Sequence, residues 1–257
     1  MLKKISQHIR QNIVKLSHFS NTSHIGSSLS AIDILVVIYF KFIKFNQKNR
    51  NIFILSKGHA CLGLYCLLYE IKKISKKTLL SFGKNNTILM SHASHKVPGV
   101  DFSTGSLGHG LPVGTGIALA SKIKKIKKKV FVLISDGELN EGSTWEALLF
   151  SVHHKLNNLI VIIDYNKIQS LDWVKNVLKI EPLKQKLKSF GLNVLILDGH
   201  NHAQIFQKLN KIDSLKPTVI IANTIKGKGI SFMQNKILWH YRAPNKHELK
   251  LALRELK

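Results

Sequence analysis

The amino-acid sequence predicts an α/β protein whose five-stranded parallel sheet carries helices on both faces. Apolar runs of strand length alternate with helical patterns through most of the 257 residues. Strands that are apolar throughout are typical of a parallel sheet, because its crossover helices bury both faces. Polar and glycine-rich segments follow the apolar runs, and ligands of such sheets bind at the carboxyl ends of the strands. We therefore expect a binding site at that edge.

The first part of the chain is less regular than the rest. About forty residues at the start predict two helices around the loop NTSHIGSSLS, with Ser30 as the N-cap of the second helix. Residues 52–56 predict a short strand, and a helix follows from Cys61. Residues 85–110 have no helical or strand period, and a helix of small residues is expected over 112–128.

From residue 130 onward, strands and helices alternate regularly. The predicted strands are residues 130–134, 159–164, 193–198 and 218–224. Helical patterns begin near Ser143, Glu181 and His202, and a last helix, NKHELKLALREL, is expected over residues 245–256.

The formal net charge of +25 raises the possibility of a polyanionic partner such as a nucleic acid. The lysines are spread along the whole chain, and no basic motif is interleaved with aromatic residues. A general compositional bias is therefore the simpler interpretation, and nucleic-acid binding is disfavoured. Steeply salt-dependent DNA binding without cofactor binding would favour it instead. A hydrophobic content of 44% excludes a disordered chain.

Cys61 and Cys66 lie in an apolar helical pattern, which favours reduced core residues over a disulfide or a metal pair. The N-terminus MLKKISQHIRQ has no signal-peptide core, and the apolar run 34–40 is too short to span a bilayer. We expect a soluble, cytoplasmic protein without a membrane partner.

The loop SDGELNEGSTWEA after the strand 130–134 is unusually rich in acidic residues and glycine. Asp136 and Asn166 each follow a buried strand, about thirty residues apart, as in one βαβ unit. Carboxylate and amide oxygens are ligands that Mg²⁺ and Ca²⁺ accept. Gly137 and Gly142 would let the backbone approach a ligand closely. The N-terminus of a helix that starts near Ser143 would favour a bound anion. A metal-bridged diphosphate fits this pattern. Ordinary turn residues after strands fit it equally well.

Six stretches resemble transketolases and occur in that family's order: TSHIGSSLS, ILSKGHA, PGVDFSTGSLGHGLPVGTGIALA, SDGELNEGSTWEA, IANTIKGKGISFM and WHYRAPN. SDG followed by YN resembles the thiamine diphosphate motif. The resemblance implies a thiamine diphosphate-binding fold, with residues 1–257 as a single diphosphate-binding domain. It also implies the N-terminal subunit of a split transketolase, which transfers a two-carbon ketol unit between sugars or sugar phosphates with thiamine diphosphate and Mg²⁺, or Ca²⁺, as cofactors.

The resemblance also assigns roles to residues of this chain. The metal ligands it implies are Asp136, Asn166 and the backbone carbonyl of Ile168. The other cofactor-binding residues are His59, Gly105, Leu107, Gly137, Glu141 and His240, and the catalytic histidines are His24, His59, His92 and His240. Imidazoles suit this work because each step of the reaction moves a proton at an oxygen.

The sequence departs from the family's pattern at a few positions. Ser135 replaces the first motif glycine, and a positive φ there would be strained. His92 lies in Ser-His-Ala rather than Gly-His-Pro, with His95 close enough to be the working residue instead. Tyr241 and Arg242 follow the Trp-His pair, which leaves the sugar substrates open.

The 257 residues contain no pyrimidine-binding domain, which in this family supplies a glutamate that activates the cofactor. We therefore expect a second subunit carrying that domain, in an α₂β₂ assembly, with Glu141 facing it and no activity from this chain alone. Two alternatives stay open. A degenerate, non-catalytic subunit, suggested by Ser135, would show no metal-dependent cofactor binding. An E1 α-like subunit of a 2-oxo-acid dehydrogenase is disfavoured by TGSLGHG and SKGHA.

Overall fold

The computed structural model describes residues 1–212 and 215–257, and within these residues it contains one sheet of five parallel strands. The strands are β1 (Ile52–Leu55), β2 (Val130–Ser135), β3 (Leu159–Tyr165), β4 (Asn193–Asp198) and β5 (Thr218–Asn223). Their order across the sheet is β1-β2-β3-β5-β4. The predicted sheet is confirmed.

The helices cover both faces of this sheet. In the described residues they are α1 (Leu2–Ser20), α2 (Ile25–Lys41), α3 (Cys61–Glu70), α4 (Lys76–Leu79), α5 (Gly110–Ile123), α6 (Gly142–His153), α7 (Val174–Val177), α8 (Leu183–Ser189), α9 (His202–Asn210) and α10 (Lys246–Glu255). Short 3₁₀ helices are formed by Gly58–Ala60, Asp136–Asn140, Ser231–Met233 and Ile237–His240.

The two faces of the sheet bury two separate apolar cores. Phe131 and Leu133 of β2 pack into the core that also contains residues of α1, α2, α3 and α9. Val132 and Ile134 of the same strand pack into the second core, with residues of α5, α6 and α8. Successive side chains of a strand point to opposite faces, so a strand buried on both faces must be apolar throughout.

The start of α2 differs from the sequence-based prediction. The helix begins at Ile25 with His24 as its N-cap, whereas the sequence predicts Ser30 there. Ser30 lies inside the helix, fully buried, and its Oγ donates a hydrogen bond of 2.6 Å to Asp164 Oδ2. Serine side chains commonly cap helices, which is the basis of the prediction. Here a tertiary contact with β3 occupies that side chain instead.

The helix predicted over 112–128 is α5, which begins earlier and ends earlier than expected. Lys125 has a φ of 53°, in the left-handed region, so the helix cannot continue through the lysine-rich segment. The element following β2 also differs, because the 3₁₀ helix Asp136–Asn140 precedes α6.

The sheet register places the ends of β2 and β3 side by side. Ser135 pairs with Asp164, so Asp136 and Asn166 lie just beyond two adjacent strand ends, as predicted. Cys61 and Cys66 are buried in α3, which confirms that they are core residues. Within the described ranges, no helix has both the length and the apolar character needed to cross a membrane.

Candidate active site

A cavity of about 220 Å³ opens at the carboxyl edge of the sheet. Every site residue proposed from the sequence lines it except Glu141: His24, His59, His92, Gly105, Leu107, Asp136, Gly137, Asn166, Ile168 and His240. The lining also includes Ser27, Lys57, Gln169, Ser170 and Lys226, to which sequence analysis gave no role. Segments that are far apart in the chain therefore meet at the edge where ligands of parallel sheets bind.

Three oxygen-bearing groups converge on one side of the cavity. Asp136 Oδ2 accepts a hydrogen bond of 2.6 Å from the Lys167 backbone N–H. Asn166 Oδ1 accepts one of 3.1 Å from the Ile168 N–H, and the Ile168 carbonyl accepts one of 3.0 Å from Lys226 Nζ. A carboxylate, an amide oxygen and a carbonyl are thus held together by the backbone turn after β3. Such oxygens are the ligands that Mg²⁺ and Ca²⁺ prefer.

Asp136 is 2% exposed, and its charge is poorly compensated by the protein. Burial, followed by the nearby negative charge of Asp164, raises the pKa of this carboxyl to about 7. Lys57 and Lys226 oppose this increase without cancelling it. A buried carboxylate of this kind, facing a cavity, fits a cation. No set of three or more His, Cys, Asp or Glu side chains in 1–212 and 215–257 is placed to hold a metal by itself.

A buried ion pair lies beneath the cavity. Lys57 Nζ donates to Asp164 Oδ2 and also to the Ser27 carbonyl at 3.2 Å. Asp164 accepts further hydrogen bonds from Ser30 and from Thr224 Oγ1. Burial opposes the ionisation of Asp164, but the charge and hydrogen bond of Lys57 outweigh it and keep its pKa below the ordinary value. The sequence held a signal for this pair, because Asp164 is the charged residue of an apolar strand, and a buried charge needs a partner.

Lys226 is a second buried cation, 1% exposed, and it comes from the segment after β5. Its Nζ donates to the Ile168 and Gln169 carbonyls at 3.0 and 3.1 Å and lies 2.9 Å from His240 Nδ1. Burial, followed by the charge of Lys57, lowers the pKa of Lys226 to about 8. Two ammonium groups in the walls of one cavity favour an anionic ligand.

Four histidines surround the mouth of the cavity. The ring of His24 lies 5.3 Å from that of His59, 4.8 Å from that of His240 and 6.2 Å from that of His92, between ring centroids. Burial lowers the pKa of His24 to about 4 and that of His240 to about 3, and it also lowers the pKa of His59. These three imidazoles are therefore neutral near pH 7, so each has one nitrogen that donates and one that accepts.

His24 is held in place by an unusual backbone conformation. Its φ of 67° lies in the left-handed region, which is uncommon for residues other than glycine. The His24 N–H donates to the His240 carbonyl at 2.9 Å, and its Nδ1 lies 2.8 Å from Ser23 Oγ. Backbone strain of this kind costs about 1–3 kcal/mol and is concentrated at functional sites.

Three residues considered in the sequence analysis, His95, Glu141 and Gly142, lie outside the cavity. His95 is exposed, and its Nδ1 lies 2.7 Å from Ser103 Oγ, so His92 is the histidine of that pair that reaches the site. Glu141 is exposed at the start of α6, beside Gly108. Gly142 is exposed as well and does not line the cavity, so the start of α6 does not supply the anion site expected from the sequence.

Ser135 has a φ of −89° and a ψ of 162°, which any residue adopts without strain. The strain considered for a serine here is therefore absent. Its Oγ accepts a hydrogen bond of 3.3 Å from the Glu138 N–H, and Glu138 Oε2 accepts one of 2.8 Å from the Ser135 N–H. This capping box fixes the turn that carries Asp136. Glu138 Oε1 also accepts from the Gly108 N–H at 3.2 Å and so ties in the loop of Gly105.

This geometry can be compared with known proteins. A family described as the thiamine diphosphate binding domain of transketolase matches residues 2–256. The chain belongs to this family. The match confirms the thiamine diphosphate-binding fold and favours transketolase over the 2-oxo-acid dehydrogenase alternative.

Among curated proteins, the chain is 42% identical over 264 residues to an apulose-4-phosphate transketolase subunit of Actinobacillus succinogenes, a match that covers 100% of this chain and 96% of that protein. It is 35% identical over 242 residues to 6-deoxy-6-sulfo-D-fructose transketolase subunit SqwG of a Clostridium species, covering 91% and 88% of the two chains. These relatives support the prediction of an N-terminal subunit of a split transketolase.

Among solved structures, transketolase from Campylobacter jejuni matches with a TM-score of 0.94 at 28% identity, over 99% of this chain and 42% of that one. Transketolase from Leishmania mexicana shares the fold, with a TM-score of 0.92 at 24% identity. This transketolase-family chain therefore spans about two-fifths of the length of these solved enzymes.

Replacing Ser135 with the glycine typical of the family tests whether the serine serves the fold or hinders the site. We expect Ser135→Gly to lower the free energy of unfolding by roughly a few tenths of a kcal/mol and Ser135→Ala by about 1 kcal/mol, because both lose the side-chain cap but glycine is itself tolerated at an N-cap. Thiamine diphosphate affinity should stay within about twofold of wild type, because no strain is relieved. Urea unfolding and titration calorimetry measure the two quantities. Ser135→Ala is the control for the lost hydroxyl, and a gain in affinity for the glycine variant would contradict this account.

Proposed function

We propose that this chain is the diphosphate-binding subunit of a two-subunit transketolase, with residues 1–257 as its single domain. The assembled enzyme transfers a two-carbon ketol unit from a ketose phosphate to an aldose phosphate. One observation carries the proposal: the oxygen cluster of Asp136, Asn166 and Ile168 shares one small cavity with four histidines. The cluster suits a metal-bound diphosphate, and the histidines suit proton transfer at sugar oxygens.

In this proposal Asp136, Asn166 and the Ile168 carbonyl hold Mg²⁺, or Ca²⁺, on the diphosphate of the cofactor. The residues present fit this group, because a buried carboxylate with a raised pKa lies beside two neutral oxygens that each keep a free lone pair. Lys57 and Lys226 lie close enough to offset the remaining negative charge of the diphosphate.

Thiamine diphosphate, when bound, supplies the electron sink that carbon–carbon bond cleavage requires. His24, His59 and His240 are neutral imidazoles, so each can hold a proton for a sugar oxygen or accept one from it. His92 also lines the cavity and completes this set, with its ring centroid 6.2 Å from that of His24.

The remaining assigned residues of the cavity serve to orient the cofactor. Gly105 and Leu107 are half-buried in the loop that Glu138 ties to the end of β2, and we assign them to the walls along the cofactor rings. Gly137 contributes to the diphosphate end, next to Asp136.

We propose that the second subunit carries the pyrimidine-binding domain and that the assembly is α₂β₂. A relative named as one subunit of a transketolase supports this division, since the match covers 96% of that protein. Glu141, exposed beside Gly108, would face that partner. The two relatives are named for a ketose phosphate and a sulfonated ketose, which supports an anionic sugar as the substrate of this chain.

Reconstitution tests the proposal. Thiamine diphosphate is titrated by calorimetry into this chain, into the chain encoded next to it, and into their mixture, each with Mg²⁺ or with EDTA. We expect Mg²⁺-dependent binding and ketol transfer in the mixture. Full activity of this chain alone would contradict the need for a second chain. Absence of binding in every mixture of folded chains would leave the non-catalytic alternative.

A further inference from the structure

The segment DGHNH after β4 has no role in the proposed function, yet it supports a buried cluster around Asp33 of α2. Arg10 binds this carboxylate with two nitrogens, at 3.1 and 2.7 Å. His200 Nδ1 lies 2.8 Å from Asp33 Oδ2, and His202 Nε2 lies 3.2 Å from Oδ1. Burial opposes the ionisation of Asp33, but hydrogen bonds from His200 and His202 and the charge of Arg10 hold its pKa below the ordinary range. Asp33 is therefore ionised, and its oxygens only accept hydrogen bonds.

The hydrogen bonds of His200 fix which of its nitrogens carries the proton. Its Nδ1 faces the Asp33 carboxylate and must donate to it. Its Nε2 accepts the backbone N–H of Ile225 at 2.9 Å and therefore has no proton. His200 is thus a neutral imidazole with its proton on Nδ1, and it links Asp33 to one backbone amide after β5.

That amide belongs to the segment that delivers Lys226 to the cavity. Thr224, before it, is bonded to Asp164, and Gly227, after it, donates its N–H to the Gly26 carbonyl at 3.1 Å. The Ile225 amide is held by His200 between these two points. Lys226 then projects to the Ile168 carbonyl at 3.0 Å, a proposed metal ligand.

We propose that His200 is a positioning residue for Lys226: through the amide of Ile225 it fixes the segment from which the Lys226 ammonium group reaches the diphosphate end of the cavity. His200 does not line that cavity and acts on it only through this segment. The effect on cofactor affinity rests on the proposed function. The positioning of the segment by His200 can be measured without any cofactor.

Three variants separate positioning from a general role in stability. In His200→Asn the short amide can still donate to Asp33 but does not reach the Ile225 N–H. In His200→Gln the longer side chain places its carbonyl oxygen near the position of Nε2 and restores an acceptor. His202→Asn is the matched control, because His202 also contacts Asp33 and Ser6 but has no bond to the Lys226 segment.

The first readout is hydrogen–deuterium exchange of a peptide covering residues 221–228, in the protein as it purifies. We expect exchange of the Ile225 amide to be on the order of tenfold faster in His200→Asn, and close to wild type in His200→Gln and His202→Asn, because one hydrogen bond has been removed in the first variant alone. Unchanged exchange in His200→Asn would overturn the inference, whether or not the protein binds a cofactor.

The second readout is the thiamine diphosphate dissociation constant of the assembled enzyme with Mg²⁺. We expect it to rise on the order of tenfold in His200→Asn and to stay unchanged in His202→Asn. Adding His200→Asn to Lys226→Met should then cause no further loss, because the first change acts through the second residue. Independent, additive losses would overturn the inference. If the wild-type assembly does not bind thiamine diphosphate, the proposed function is refuted. The exchange measurement would still decide whether His200 positions Lys226.

Discussion

Asp136→Asn is expected to abolish Mg²⁺-dependent binding of thiamine diphosphate, with a loss of affinity of at least roughly a hundredfold, while stabilising the metal-free chain. The carboxylate is the one anionic ligand of the proposed site, so its removal takes away the main attraction for the cation. The same carboxylate is buried next to Asp164, which makes its charge unfavourable when no metal is bound. Asparagine has the same shape and still accepts from the Lys167 N–H.

The sign of the stability effect follows from the pKa. The pKa of Asp136 is about 7 in the folded chain against an ordinary value of 3.8, so the folded chain binds this proton more tightly than the unfolded chain does. The charge therefore does not change the free energy of unfolding below about pH 4. It lowers this free energy progressively as the pH rises and has its full effect above about pH 7. Its removal should raise the free energy of unfolding by on the order of 4 kcal/mol at pH 8.

Urea unfolding of the metal-free chain at pH 8 and pH 5 measures this gain, which should be much smaller at the lower pH. Calorimetry on the assembled enzyme measures the loss of cofactor binding. Asp172→Asn is the control, because Asp172 is only half-buried and does not line the cavity. Wild-type affinity in Asp136→Asn would refute the metal assignment. In wild type, the affinity for Mg²⁺ should fall as the pH drops below 7, because the proton competes with the metal.

Lys57→Met is expected to destabilise the fold by about 3–5 kcal/mol, because it leaves a buried carboxylate without its cation. The side chains of Lys57 and Asp164 are 1% and 0% exposed, so water cannot replace the lost partner. The hydrogen bonds from Ser30 and Thr224 remain, but their hydroxyl donors are neutral and do not replace the lost positive charge. The pKa of Asp164, now held low mainly by Lys57, should rise in this variant.

Chemical denaturation of the metal-free chain at pH 7.5 measures this loss. The double variant Lys57→Met/Asp164→Asn should recover part of it, because no unpaired charge then remains in the core. Arg242→Met is the comparison, since the Arg242–Glu248 pair has side chains 38% and 18% exposed and should cost only about 1 kcal/mol. An equal loss of unfolding free energy in Lys57→Met and Arg242→Met would contradict the claim that burial makes the Lys57–Asp164 pair more important.

The regular part of the fold was predictable because its signals are local. The strands β2 and β3 are buried on both faces, and such burial requires consecutive residues to be apolar, which is visible in the sequence. The position of Asp136 and Asn166 followed from the same pattern, since residues after adjacent parallel strands must meet at one edge.

The features that sequence analysis missed depend on the contacts and the backbone conformation of the folded chain and not on residue type alone. Ser30 has the local signature of a helix cap, but Asp164 binds its hydroxyl inside α2. Ser135 raised the possibility of strain, yet its extended backbone and its bond to Glu138 make it a cap. Lys226 was one lysine among many until the structure showed it buried against the Ile168 carbonyl.

The sequence by itself determined the α/β sheet, the edge at which the site lies and, through resemblance, the transketolase family and most residues of the cavity. Only the tertiary structure decided which charges are buried together, which histidine of the pair His92 and His95 reaches the site, and that Glu141 stays outside it. The physical reason is that strand and helix patterns depend on neighbours in the chain. The ionisation of Asp136 and the placement of Lys57 depend instead on distances between segments that are remote in the sequence.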